Sequence, residues 1–464
     1  MTKIDKVLII GLDCFEPSFV FDLWKDRLPT FSSLMNSGYY GRLESTIPAI
    51  TVPAWMSMMT SRNPGSMGFY GFRNRKNYSY DDMFFANSAA VKVDTTWRIL
   101  SRHNRKVVVM GVPQTYPPKP VNGCLIGCFL TPNTDSNFTY PKQLKEEIRE
   151  NVGEYIIDVK NFRTEDKKYL LHQIYEMTDQ RFKTAQYLMD NKPWDFFMMV
   201  EMGPDRLHHG MWKFHDETHV NYVPNSPYKN SIRDYYIYLD GKISELLEKV
   251  DRERTAIIIV SDHGAKRMDG GFCFNDWLIQ QGYLTLKTPV TQPRLIKNED
   301  IDWSKTKVWG SGGYYGRLFI NVKGREPQGV IPQNSYESFR TELIHRLESV
   351  PEHTGKLMGN RAFRPQDIYP EVKEVAPDLI VYFGDLGWRS VGTVGNDSLY
   401  VFQNDTGPDD ANHAQQGMYI LSAPGISAAG QKLDRQIMDI APTTLNLLSI
   451  DIPPDMEGKP LTIR

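Results

Sequence analysis

Six short apolar runs constrain this chain more than any other feature. Val7–Leu12, Val107–Gly111, Phe196–Glu201, Ala256–Val260, Leu379–Phe383 and Tyr419–Ser422 run apolar through consecutive positions instead of alternating with polar ones. A strand with one wet face alternates. A strand apolar throughout needs cover on both faces, which is the pattern of a parallel sheet packed between helices. Longer segments of helical periodicity separate the runs: Pro141–Asn151, Glu165–Asp190, Ile232–Val250, Tyr336–Ser349 and Gln436–Leu448. This alternation predicts a doubly wound α/β sandwich, whose chemistry sits in loops at the carboxyl ends of the strands.

Composition narrows the function classes. The chain has 464 residues, 41% of them hydrophobic, enough for a large core. Its 54 Lys and Arg are offset by 56 Asp and Glu, so no chain-wide basic surface awaits nucleic acid, and none is expected as a partner. Four cysteines in so long a chain make no disulfide framework, and Cys124 and Cys128 sit in an apolar stretch that reads as buried, inert thiols. The opening segment reaches Asp13 after only a short apolar run. No window approaches the roughly 20 apolar residues of a membrane helix, so a soluble cytoplasmic protein is expected. Asp216–Lys229 reads as a loop. Thr288–Val330 is irregular, with W-G-S-G-G-Y-Y-G near its middle, and reads as a cap or an inserted hairpin.

The candidate chemistry follows the strand-like runs. Asp13 ends the first one, and Asp262-His263-Gly264 ends Ala256–Val260. Asp205 and His209 follow Phe196–Glu201 and, four apart on a helical turn, share a face. Asn412-His413 precedes the last run. Carboxylates and imidazoles converging at strand ends suit a borderline divalent ion such as zinc and tolerate manganese. One such pair is commonplace; four at successive strand ends are not.

A fifth piece is Ser45–Pro64, S-T-I-P-A-I-T-V-P-A-W-M-S-M-M-T-S-R-N-P. A Thr directly before V-P-A, then a helix-like segment closing on T-S-R-N-P, resembles the nucleophile segment of the alkaline phosphatase superfamily, in its type I phosphodiesterase/nucleotide pyrophosphatase branch. The resemblance runs from Val7 to about Gly425 and includes S-D-H-G and P-D-L-I-V at Pro377–Val381. It implies an alkaline phosphatase-like α/β/α sandwich with a mainly parallel central sheet. It implies one catalytic domain over residues 1–464, with cap or insertion segments near 112–192 and 284–330. It further implies two divalent metal ions, zinc or alternatively manganese. Asp205, His209 and His413 would hold one; Asp13, Asp262, His263 and Thr51 would surround the other. Thr51 would be the nucleophile, passing through a phospho-threonine intermediate. The expected activity is hydrolysis of phosphodiester or pyrophosphate bonds in a small phosphate ester or nucleotide-type substrate.

Three positions depart from the branch. Ala54 stands where an Asn often helps hold a phosphoryl oxygen, Thr60-Ser61 replaces Thr-Gly, and Met67 replaces a His. The first bears on mono- versus diester preference. A phosphomutase, phosphotransferase or phosphomonoesterase of the same superfamily is the alternative reading. A non-catalytic phosphate-binding protein is the alternative from another class. Secondary candidates are His208 as a substitute for His209, and His215 and His219 near an entrance. Arg62, Lys266 and Arg317 are possible phosphate cations. Trp55 is a candidate apolar rim, and Trp303, Trp309, Tyr314 and Tyr315 a candidate aromatic wall.

Overall fold

A computed structural model describes residues 4–426 and 430–461; Met1–Lys3 of the opening segment lie outside the described residues. Its centre is a ten-stranded mixed sheet. The middle five strands are parallel and lie in the order Gly123–Ile126, Val107–Met110, Phe196–Glu201, Lys6–Leu12, Thr255–Val260. Their side chains are almost wholly buried, as expected of strands covered on both faces. Helices flank the sheet in two groups. Lys167–Asn191, Gly203–His215 and Ser231–Leu247 pack together, as do Thr51–Thr60, Thr96–Arg102 and Ile440–Leu447.

Two apolar runs sit differently from the expectation of parallel strands. Gln416–Ser422 joins the central sheet antiparallel to Thr255–Val260. Leu379–Tyr382 leaves it altogether and pairs antiparallel with Gly316–Ile320 and Arg361–Phe363 in a separate four-stranded sheet. That sheet has its own core around Trp303, Leu318, Leu343 and Phe383. An apolar run reports burial on both faces, and a second core buries a strand as completely as the first. Tyr39–Glu44 is a central strand that the apolar pattern misses, because its burial alternates. The irregular Thr288–Val330 contains a hairpin, Val308–Ser311 against Gly316–Ile320, with the glycine-rich stretch at its turn. Asp216–Lys229 carries neither helix nor strand.

Register brings the strand-end residues level. Gly11 pairs with Val260 on one side and Val200 on the other. Asp13 and Asp262 therefore each stand two residues beyond paired positions, and Asp13 donates its backbone N–H to the carbonyl of Glu201. A Cβ at Gly11 would lie 2.4 Å from Trp55 Cη2. Glycine there lets the Thr51–Thr60 helix press against the first strand.

Candidate active site

Each element delivers one part of the site. The first strand ends on Asp13 and the Thr255–Val260 strand runs on to Asp262 and His263. The helix Gly203–His215 starts directly after Phe196–Glu201 and carries Asp205 and His209 one turn apart. The short strand Ala411–Ala414 folds back antiparallel to Gly264–Arg267, opposing His413 to Ala265. Thr51 is the first residue of the Thr51–Thr60 helix. All seven side chains belong to residues at most 4% exposed.

They fall into two sets. Asp205, His209 and His413 offer ligand atoms within 4.8 Å of one another, as do Asp13, Asp262 and His263. His209 Nε2 lies 3.3 Å and His413 Nε2 3.7 Å from the same oxygen, Asp205 Oδ1. His263 Nε2 lies 3.0 Å from Asp262 Oδ2 and 3.4 Å from Thr51 Oγ1. The His263 and His413 rings stack at 3.8 Å, which brings the sets side by side.

Donor chemistry fits divalent cations. Buried polar atoms are normally hydrogen-bonded, yet Asp13 Oδ1, Asp262 Oδ2, His209 Nε2 and His413 Nε2 are buried without a hydrogen-bond partner among the described residues. Burial pushes the Asp13 carboxyl well above its ordinary range, and Asp262 and Asp205 push it further. Burial does the same to Asp262, with Asp205 adding to it. Asp13 and Asp262, buried and crowded by a third carboxylate, are unfavourable as anions until a cation joins them, and a bound ion inverts that balance. Burial also pushes His263 down to about 4 and His413 well below its usual value. Both imidazoles are thus neutral, the form that ligates metal.

The surrounding contacts fix these side chains. Trp55 donates its indole N–H to Asp13 Oδ2 at 2.6 Å. Trp55 is therefore a fully buried support, not the rim expected from sequence. His413 Nδ1 meets the carbonyl of Ala49 at 3.0 Å. Arg206 pairs with both Asp205 and Asp158. His209 Nδ1 lies 2.7 Å from Asp409 Oδ1, while Asp409 Oδ2 accepts from Tyr314 at 2.9 Å and Arg163 at 3.0 Å. Asp409, Tyr314, Arg163 and Arg206 were not singled out as parts of the metal centre from the sequence. The one available signal was the acidic pair Asp409-Asp410 shortly before His413.

The remaining candidates lie elsewhere. His208 points to the hydroxyl of Tyr236 at 3.1 Å, so His209 is the one that faces Asp205. His215 packs on Phe19 and Trp24, and His219 meets the carbonyl of Asp410. Arg62 pairs with Asp455, Lys266 donates to the carbonyl of Asp385, and Arg317 bonds Ser311 and the carbonyl of Arg73. Trp303 stacks on Tyr80 in the second core, and Tyr315 donates to the carbonyl of Tyr70. Tyr314 alone of the aromatic wall stands at the site, 4.8 Å from the His209 ring and 4.6 Å from that of His413. Cys14 forms a third close group with His263 and His413. Burial pushes its thiol up, and it donates to the carbonyl of Gly264. Cys124 and Cys128 are buried and free. Ser61 adopts φ 54°, the left-handed cap conformation that glycine usually supplies. Met67 Sδ accepts from Thr60.

Known proteins give the same fold. The structure superposes on murine ectonucleotide pyrophosphatase/phosphodiesterase 5, an inactive form in complex with AMP, with a TM-score of 0.58 at 12% identity, covering 97% of this chain and 96% of that one. The human protein of the same name gives 0.57 at 13% identity, with the same coverage. At such identity the likeness is one of fold. No curated protein matches the chain. No described helix is long and apolar enough to cross a membrane. The family model described as type I phosphodiesterase/nucleotide pyrophosphatase matches residues 7–409, a span that holds Thr51, Asp13, Asp205, His209, Asp262 and His263 and stops just before His413. Over that span, the chain belongs to the type I phosphodiesterase/nucleotide pyrophosphatase family of hydrolases.

Proposed function

We propose that this protein hydrolyses phosphodiester or pyrophosphate bonds through a covalent intermediate on Thr51, at a centre built for two divalent ions, zinc or manganese. The observation that carries this reading is that Thr51 lies against His263 of one His/Asp set, whose ring stacks on His413 of the other, at the buried ends of the strands. Asp205, His209 and His413 would hold one ion; Asp13, Asp262 and His263 would hold the other, with Thr51 beside it. Such ions, when bound, supply charge that acidifies a hydroxyl and neutralises phosphoryl and leaving oxygens. Thr51 presents its Oγ1 from the first turn of a helix, where the helix dipole favours an anionic phosphoryl group. Attack by Oγ1 forms the Thr–O–P bond as the bond to the leaving oxygen breaks. Water then cleaves the Thr–O–P bond and restores the hydroxyl. With a diester, the intermediate keeps one organic arm. AMP in the solved murine relative supports a nucleotide-type substrate.

The surroundings of Thr51 favour diesters over monoesters. A monoester dianion needs extra cations or donors at the phosphoryl oxygens. Ala54 offers no amide side chain, Ile50, Val52 and Pro53 are apolar, and Arg62, Lys266 and Arg317 are engaged elsewhere. Comparison of kcat/KM for bis-p-nitrophenyl and mono-p-nitrophenyl phosphate checks this. The diester is expected to lead by about tenfold or more, close to 1.4 kcal/mol. A tenfold lead for the monoester moves the phosphatase or mutase reading ahead.

Asp409 orients His209 through Nδ1, leaving Nε2 for the ion, an arrangement whose loss typically weakens metal binding about 10–100-fold. Asp409→Asn is expected to lower metal affinity by that factor, read by chelator competition. Unchanged affinity would remove Asp409 from the account.

A further inference from the structure

Beside the proposed centre lies a cleft of about 590 Å³ that none of the ligand residues explains. Four arginines line it, Arg73, Arg75, Arg163 and Arg389, against one carboxylate, Asp405. Three of them have acidic partners: Arg75 with Glu326 at 3.3 Å, Arg163 with Asp409 at 3.0 Å and Arg389 with Asp405 at 3.2 Å. Arg73 is exposed, lies over the Phe85 ring, and has no carboxylate partner among the described residues. The cleft is thus short of negative charge.

Three buried polar atoms on its wall also lack partners among the described residues, including the Nε of Arg75. Asn275 Oδ1 and the Nε of Arg389 have no hydrogen bond among the described residues, although Asn275 is 1% and Arg389 6% exposed. A buried donor left unpaired is costly, and a phosphate oxygen would satisfy the Nε of Arg75 and of Arg389, whereas Asn275 Oδ1, an acceptor, calls for a donor on the ligand. Another part of the wall is carbon. Ile296, Ile301 and Trp309 line it, with Leu295, 66% exposed, alongside. Arginine forks match phosphate oxygens, and an aromatic and aliphatic wall suits an organic chain.

Arg163 ties the cleft to the centre. Its guanidinium lines the cleft while donating to Asp409 and, at 2.7 Å, to the Tyr314 hydroxyl. Tyr314 in turn stacks on His209. A substrate held at the centre therefore has a cationic cleft within reach of one arm.

We propose that this cleft is a second anion site, which receives a phosphate carried on the organic arm of the substrate. The preferred substrate is then a diester whose arm bears a second phosphate group, set apart from the scissile phosphorus by carbon. This rests on the phosphodiesterase reading above for the group bound at the centre.

Equilibrium binding to the metal-loaded Thr51→Ala protein tests it. The probes are ethyl methyl phosphate and methyl 2-(phosphonooxy)ethyl phosphate, which differ by the second phosphate. The second phosphate is expected to tighten binding about tenfold or more, and Arg73→Ala and Arg389→Gln are each expected to erase most of that gain. Arg73 is exposed, so its variant reports even where Arg389→Gln fails to fold. Equal dissociation constants for the two probes, or a gain that survives Arg73→Ala undiminished, overturns the proposal. Turnover of bis-p-nitrophenyl phosphate by the wild-type protein is measured separately. Its absence alongside an arginine-dependent gain would sink the reaction and leave the anion site standing.

Discussion

Thr51→Ala is expected to remove nearly all turnover, about 10³-fold or more, while fold and metal content stay intact. That loss corresponds to roughly 4 kcal/mol of barrier, more than any packing effect at this position supplies. Thr51 opens its helix and is buried, and its only side-chain hydrogen-bond contact among the described residues is His263 Nε2 at 3.4 Å. Alanine is the best helix former and leaves only a small void, so stability should change by about 1 kcal/mol or less. Both His/Asp sets survive the substitution. Steady-state kinetics with thermal melts and elemental analysis check the three parts together. A variant retaining more than about a tenth of wild-type kcat, a barrier loss under 1.4 kcal/mol, contradicts the assignment of the nucleophile.

Removal of metal is expected to have an effect of the same size. Chelation should abolish turnover and lower Tm, since an ion that binds only the folded chain stabilises it. Zinc or manganese should restore both. The pH dependence has a definite sign. Burial alone would lower the pKa of His209, but the carboxylates of Asp409 and Asp205 override it and push His209 up to about 10. Asp13 and Asp262 are pushed up by burial and by neighbouring carboxylates. Around neutral pH the metal-free site therefore keeps the proton on His209, and Asp13 and Asp262 hold theirs to higher pH than ordinary carboxyls do, so metal must displace them. Affinity should rise with pH and fall in acid, by about tenfold per pH unit for each proton displaced. Asp205 contributes little to this slope. Burial opposes its charged form, but His209 and Arg206 override that and hold its carboxyl well below the usual range. Elemental analysis of protein purified without chelator should give two ions per chain. An affinity independent of pH would contradict a ligand set made of these residues.

Much of the candidate site was legible because strand ends in a parallel sheet are adjacent by construction. Asp13 and Asp262 each follow an unbroken apolar run, and register alone sets them level. Asp205 and His209 share a helix face through their spacing. His413 is different: it reaches the site only because the chain returns, far along the sequence, as a strand antiparallel to Gly264–Arg267, and no local pattern announces that contact. The supporting residues were hidden for the same reason. Trp55 reads as an apolar rim until the first strand is seen to bring Asp13 within reach of its indole N–H. Tyr314 reads as wall or core until the second sheet sets it against His209 and Asp409. The fold was misread where burial comes from a second core, at Leu379–Tyr382, and where a central strand alternates, at Tyr39–Glu44.

The stereochemical course at phosphorus tests the central claim most directly. A covalent Thr51 intermediate requires two successive in-line displacements, each inverting phosphorus. A diester made chiral at phosphorus with sulfur, hydrolysed in oxygen-18 water by the metal-loaded enzyme, should give product with net retention of configuration. Net inversion would mean that water attacks the substrate directly, and would contradict the account.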